Sequence, residues 1–109
     1  MMQSNKLVQS NKIEELLQYS NPERVAKNSM NYFNKYVPVY PSFQSAKKYM
    51  IKKPDGKFVH FGQMGYLDFT KHLDKKRQYN YLKRAMKIRG NWFNDIYSPN
   101  SLAIHLLWV

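Results

Sequence analysis

The stretch Tyr49-Met50-Ile51-Lys52-Lys53-Pro54-Asp55-Gly56-Lys57-Phe58-Val59-His60-Phe61 decides the fold. Pro54 presets the backbone dihedral of a turn, Asp55 accepts local hydrogen bonds, and Gly56 takes the left-handed position that a side chain disfavours. β-branched and aromatic residues flank the turn in imperfect alternation, so the segment predicts a β-hairpin of Tyr49–Lys53 with Phe58–Phe61. Gly62 and Gly65 then permit a tight reversal.

Helix signals lie on both sides of this hairpin. Upstream, Asn21-Pro22-Glu23 is a helix start: a cap residue, a proline at the first helical position, and an acid at the positive end of the helix dipole. Val25, Ala26, Ser29, Met30, Phe33, Tyr36 and Val37 follow at spacings of three and four and form one small-to-apolar face. Pro38 and Pro41 stop this helix and extend Val37–Pro41. Before it, Met1–Ser10 reads as a polar arm. Asn11 with Glu14 forms a capping box for a short helix bearing Ile13, Leu16 and Leu17.

Downstream, a helical stretch starts near Asp68, with Phe69 and Leu73 on one face. Asp74 caps a second helix containing Tyr79, Leu82, Ala85 and Met86, with Gly90 as its C-cap. Ser98-Pro99 opens a short apolar helix from Asn100 to about Trp108. The expected fold is α+β: a small single domain with an N-terminal helical arm, one β-hairpin and two to three following helices. Its expected organisation is a helical arm and extended, Pro-containing linker over 1–44, then a basic α+β core over 45–109.

The chain has 109 residues and a hydrophobic fraction of 43%, of which much is Tyr and Phe. That is too apolar for a disordered polycation and enough for a small core. It has no cysteine, which excludes disulfides, thiolate metal sites and a cysteine nucleophile. Met1–Lys12 is too polar for a signal peptide, and the apolar run Leu102–Val109 is too short to span a bilayer. These features read as a soluble protein, intracellular when made.

Charge is concentrated. Thirteen of the eighteen Lys and Arg residues lie between Lys47 and Arg89, against three acids, Asp55, Asp68 and Asp74. Lys47, Lys48, Lys52, Lys53 and Lys57 belong to the hairpin; Lys75, Lys76, Arg77, Lys83, Arg84, Lys87 and Arg89 belong to the helix that follows. Lys75, Lys76 and Arg77 stand in a first turn, where the dipole disfavours each cation by about 0.3–1 kcal/mol. Such a surface suits the phosphates of a nucleic acid, with aromatics stacking on unpaired bases, or an acidic protein face. A merely solubilising face is the plainest alternative. Zinc-finger spacing and the RNP signature are both missing, so nothing points to sequence reading.

Catalytic and metal readings are weak. His60, His72 and His105 match no ligand spacing. Asp68, Asp74 and Asp95 would serve a metal-dependent nuclease only if folding converged them, and Asp68 and Asp74 fit helix caps without further purpose. The expectation is a non-enzymatic protein without cofactor, metal site or small-molecule substrate. Trp92 and Trp108, with Phe93, Tyr97 and Leu102–Leu107, either complete the core or anchor a neighbouring protein, and Tyr40 in the extended segment is a third candidate anchor.

The ordered set Lys48-Tyr49-Met50, Pro54-Asp55-Gly56-Lys57, His60-Phe61-Gly62-Gln63, Gly65-Tyr66, Asp68-Phe69-Thr70-Lys71-His72, Tyr81-Leu82-Lys83-Arg84, Tyr97-Ser98-Pro99 and Leu107-Trp108 resembles a family of small basic proteins of nucleocytoplasmic large DNA viruses, over roughly Asn21–Trp108. The resemblance implies a viral origin and a place in the virion, as a minor capsid or capsid-lining protein reached from the host cytoplasm or nucleus. In such a role the apolar and aromatic segments are expected to bind shell proteins, and the basic face to meet acidic protein or packaged DNA. It brings no catalytic residue. The alternative expectation is a sequence-nonspecific nucleic-acid-binding protein packaged with, or acting on, viral DNA.

Overall fold

The computed structural model describes residues 2–109, with side chains from Asn11 onward. The fold is α+β: helices first, then a three-stranded antiparallel sheet, then further helices. The hairpin forms where expected. β2 (Lys47–Lys52) and β3 (Phe58–Gln63) pair with Tyr49 opposite Phe61 and Ile51 opposite Val59. In the turn, Gly56 N–H donates to Lys53 O at 2.9 Å, Lys57 N–H donates to Asp55 Oδ1 at 2.9 Å, and Gly56 sits at φ +88°.

A third strand was not expected. β1 (Tyr40–Pro41) pairs along the free edge of β2, Tyr40 opposite Met50 and Pro41 opposite Tyr49. Pro41, which cannot donate to a ladder, is tolerated because β1 is an edge. Two residues of strand containing a proline carry almost no local signal.

Helix α1 runs over Met2–Tyr19. Asn11 is therefore inside the helix and does not cap it; no Pro or Gly occurs in residues 2–19 to stop the helix from extending. Met1 and the side chains of residues 2–10, where the polar arm was expected, lie outside the described residues. α2 (Pro22–Phe33) begins as its motif dictates, with Arg24 N–H donating to the Asn21 side chain at 3.4 Å. It ends earlier than expected. Asn34 adopts the left-handed conformation, φ 56°, and Ser29 Oγ donates to Val37 O at 3.1 Å, so Tyr36 and Val37 fall beyond the helix.

Asp68 caps the single-turn α3 (Phe69–His72), and Asp74 caps α4 (Lys75–Ala85) by accepting from Lys76 N–H at 2.9 Å and Arg77 N–H at 3.2 Å. That carboxylate offsets the unfavourable cations of the first turn. α4 stops at Ala85, whose carbonyl accepts from Asn100 Nδ2, so Gly90 is not its cap. The expected terminal helix is split. α5 (Pro99–Leu102), capped by Ser98, widens into a π turn over Ala103–Leu107. This bulged end buries Ala103, Ile104, Leu106 and Leu107 together.

One buried cluster joins Leu16 of α1, Val25 of α2, Tyr49 and Ile51 of β2, Phe61 of β3, Met64, Leu102, Ala103, Leu106 and Leu107. Residues before and after the sequence boundary near Phe43–Ala46 thus share one core.

Candidate functional site

α4 owes its place to a narrow apolar stripe. Gln78, Tyr81, Leu82 and Ala85 fall on one side at helical spacing, the first three half-buried and Ala85 buried. Tyr81 stacks flat on Trp108, with ring centroids 4.1 Å apart and planes 6° from parallel, and Gln78 Nε2 donates to Trp108 O at 2.8 Å. The opposite side carries Lys76, Lys83 and Arg84, with Arg77 at its border, all exposed, and Lys87 and Arg89 continue the run as exposed residues, whereas Lys75 flanks the stripe with its Nζ 5.6 Å from the centre of the Phe69 ring. Tyr79, 65% exposed, lies between Lys76 at i−3 and Lys83 at i+4. The acid at this helix is Asp74, 3.9 Å from Arg77 Nε; both side chains are about half exposed, and such a pair contributes little. Among the described residues, the ridge is a row of cations with one carboxylate, Asp74, beside it.

The hairpin cations do not act as one group. Lys52 and Lys57 are exposed, Lys47 and Lys53 half-buried, and Lys53 Nζ lies 3.6 Å from Asp55. Lys48 must be removed from the binding surface, because only 2% of it is exposed. Its Nζ lies 3.0 Å from Asp68 Oδ2 and donates to Tyr66 O at 2.6 Å. Asp68, 1% exposed, also accepts from Thr70 N–H at 3.0 Å and from the Thr70 hydroxyl. Thr70 Oγ1 accepts from Asn21 N–H at 2.9 Å and meets Ser20 Oγ, which accepts from Tyr49 OH at 2.6 Å. Burial pushes the Lys48 ammonium below the usual lysine range, against the pull of Asp68, and pushes the Tyr49 phenol up. This network ties the end of α1, the start of α2, β2 and α3 together. It is a structural node, since every polar group in it is used by another.

The candidate anchors divide. Trp108 is half-buried between Tyr81 and His72, the latter ring 5.3 Å away, so it is committed within the chain. Trp92 is also half-buried: its Nε1 donates to Ile88 O at 2.6 Å, and its carbonyl accepts from Ser98 and Ser101 hydroxyls. Both therefore make contacts within the chain while part of each ring stays exposed. Tyr40 remains exposed on the sheet edge. Near it, a groove of about 910 Å³ runs between α1 and the β1–β2 connection, lined by Ile13, Tyr40, Pro41, Phe43 and Met50 among others.

Among the described residues, no three His, Asp or Glu side chains gather as a metal site, and no helix is long and apolar enough to cross a membrane. Asp68 is paired to Lys48, Asp74 caps α4, and Asp95 accepts from Tyr97 N–H, so the three aspartates serve separate local purposes.

The histidines share one electrostatic property. Burial lowers the pKa of His60, His72 and His105 below the ordinary 6.5, and nearby cations add to this at His60 (Lys12, Lys47) and at His72 (Arg77, Lys48), where Asp74 and Asp68 pull the other way. His72 Nδ1 also accepts from Asp74 N–H at 2.9 Å, a bond that protonation would break. The unfolded chain therefore binds protons more readily than the folded one as pH falls through 6.5, and stability must fall with it until the folded-state values are passed. Melting temperature measured from about pH 7.5 to about pH 5 should drop, and replacing His72 with Gln should flatten the drop.

Residues 37–85, spanning β1 to the end of α4, are similar to a family of unknown function, DUF5754. No curated protein and no solved structure matches the chain. The matched stretch contains the whole sheet, the Lys48–Asp68 pair and most of the cationic ridge.

Proposed function

We propose that this is a non-enzymatic binding protein whose α4 ridge holds the phosphates of a nucleic acid without reading its sequence. The supporting observation is the outer face of α4: Lys76, Arg77, Lys83 and Arg84 exposed on one short helix, continued by Lys87 and Arg89, with a single exposed carboxylate beside them. Phosphates spaced along a strand suit such a row, and each neutralised phosphate releases condensed counterion. If five are contacted, the log–log slope of affinity against salt is roughly −4 to −5 on duplex DNA. Substituting Lys76→Ala and Lys83→Ala together should make that slope shallower by about 2 and weaken all DNA sequences alike. Binding titrations across a salt series decide the matter. A slope near zero, or no binding at about 150 mM salt, rejects the reading.

A second reading is a virion component, a minor capsid or capsid-lining protein, whose viral setting rests on the sequence resemblance. The observation that favours contact with shell proteins is the set of exposed apolar side chains Met86, Ile88, Phe93 and Ile96 within one short segment. Stepwise disruption of purified particles is its test: release with the shell supports it, and absence from particles overturns it. The two readings are compatible, since ridge and apolar segment are different side chains.

A further inference from the structure

The sheet has two unlike faces. Tyr49, Ile51 and Phe61 enter the core, whereas Tyr40, Met50 and His60 align across all three strands on the other face, with Lys52 and Phe58 paired beside them. At the far end of the sheet Gly62 lies close to Leu107 and Lys48. Among the described residues the remainder is bordered by α1, across a groove, and it carries an aromatic cluster. Phe43, from the β1–β2 connection, meets Phe58 at 6.1 Å and His60 at 4.6 Å, and Tyr40 meets Phe58 at 6.4 Å, with interplanar angles of 81–89°. Edge-to-face contacts leave ring faces uncovered, and Phe43 is 71% exposed, Tyr40 43% and Phe58 38%.

Cations border these rings. Lys52 lies opposite Phe58, and Lys57 precedes it; both are exposed. Lys12 and Lys47 act on His60 through their charge, which puts their field across the cluster. Lys12 is held there by its bonds to Gln44 O and Lys47 O. The nearby carboxylates are Glu15, at the groove, and Asp55, already beside Lys53.

We propose that this open sheet face is a stacking platform for single-stranded nucleic acid, with Tyr40, Phe43 and Phe58 taking unpaired bases and Lys12, Lys47, Lys52 and Lys57 taking the intervening phosphates. The inference rests on the reading of α4 as a nucleic-acid surface and names its preferred substrate. In a duplex the base faces are occupied by their neighbours, so ring faces add affinity only where bases are unpaired. Tyr40 and Phe58 are held by the strand ladder and Phe43 by its edge contacts with Phe58 and His60, which limits the ordering cost added on binding. An acidic protein would be met by the cations alone and would gain nothing from the flatness of the rings.

Affinities of the full chain should be measured for an oligothymidylate and for a blunt duplex of equal length, with thermal melts confirming that each variant folds. The wild type should prefer the single strand. Phe43→Ala and Tyr40→Ala should each weaken the single strand by about 5- to 100-fold and the duplex by less than about twofold. Phe43→Trp should restore single-strand binding, and Phe43→Leu should not. Equal binding of both nucleic acids, unaffected by Phe43→Ala, overturns the platform and leaves the α4 ridge standing. Full activity of Phe43→Leu overturns stacking and points to an apolar protein partner. No binding of either nucleic acid overturns the platform together with the α4 reading.

Discussion

Asp68→Ala is expected to cost the folded state about 3–5 kcal/mol, a large share of the roughly 5–15 kcal/mol that a domain holds. The substitution strands the Lys48 ammonium, 3.0 Å from the lost carboxylate and only 2% exposed, in the interior. It also deletes the cap of α3, about 1 kcal/mol in itself, and leaves the Thr70 hydroxyl to find another acceptor. Chemical denaturation should show the loss as a lower midpoint or as an unfolded protein. Asp68→Asn separates the contributions, because its amide retains the cap geometry while removing the charge. With Asp68 neutralised, burial alone acts on Lys48 and lowers its pKa further. A lysine whose folded pKa is depressed lowers stability while it stays protonated, and that cost is relieved as pH rises through the folded value towards the unfolded one. Asp68→Asn should therefore regain stability relative to wild type as pH is raised into the alkaline range. Adding Lys48→Met to Asp68→Asn should recover much of the loss at neutral pH, since an apolar side chain needs no counter-charge. A double variant as unstable as Asp68→Asn would show that the pair's charge is not the source of the cost.

Gly62→Ala should cost about 2–4 kcal/mol by two independent routes. Gly62 sits at φ +82°, where a side chain is strained by about 1 kcal/mol. An added Cβ would lie 2.8 Å from Leu107 Cδ1 and 3.2 Å from Lys48 Cβ. Leu107 is 1% exposed and fixed within the core, and Lys48 is fixed by Asp68, so neither yields easily; overpacking of this sort costs about 1–3 kcal/mol. Gly65 is the control. It has a positive φ too, but nothing lies within 4 Å of an added Cβ, so Gly65→Ala should incur the backbone strain alone. Equal melting temperatures for the two variants would refute the close approach of Leu107 to the sheet.

These two sites also mark where sequence reasoning stopped. Gly62 is visible in the chain as a turn-former, but its partner Leu107 is 45 residues away. Lys48 alternates with Tyr49 and Ile51 and so reads as a solvent-facing strand residue. Asp68 reads as a cap, which it is. That the same carboxylate also neutralises Lys48 depends on how the segment after β3 folds back, and no local pattern encodes it. Trp92 and Trp108 read from sequence as core residues first and anchors second, and their contacts with Ile88 and Tyr81 are visible only in the fold.

Local hydrogen-bond chemistry was legible because its partners are a few residues apart. The Pro54-Asp55-Gly56 turn and the caps at Asn21, Asp68, Asp74 and Ser98 all form as their residue types dictate, and the cationic outer face of α4 follows from helical spacing alone. Strand β1, the π turn of Ala103–Leu107 and the burial of Lys48 were not legible, because each is settled by contacts between segments far apart in the chain. The open aromatic face belongs to the same class. Tyr40, Phe43, Phe58 and His60 are scattered over 21 residues, and only strand register and the path of the β1–β2 connection make them neighbours. Turn and helix-end preferences are energies of adjacent residues; which faces are buried is an energy of the whole packed chain.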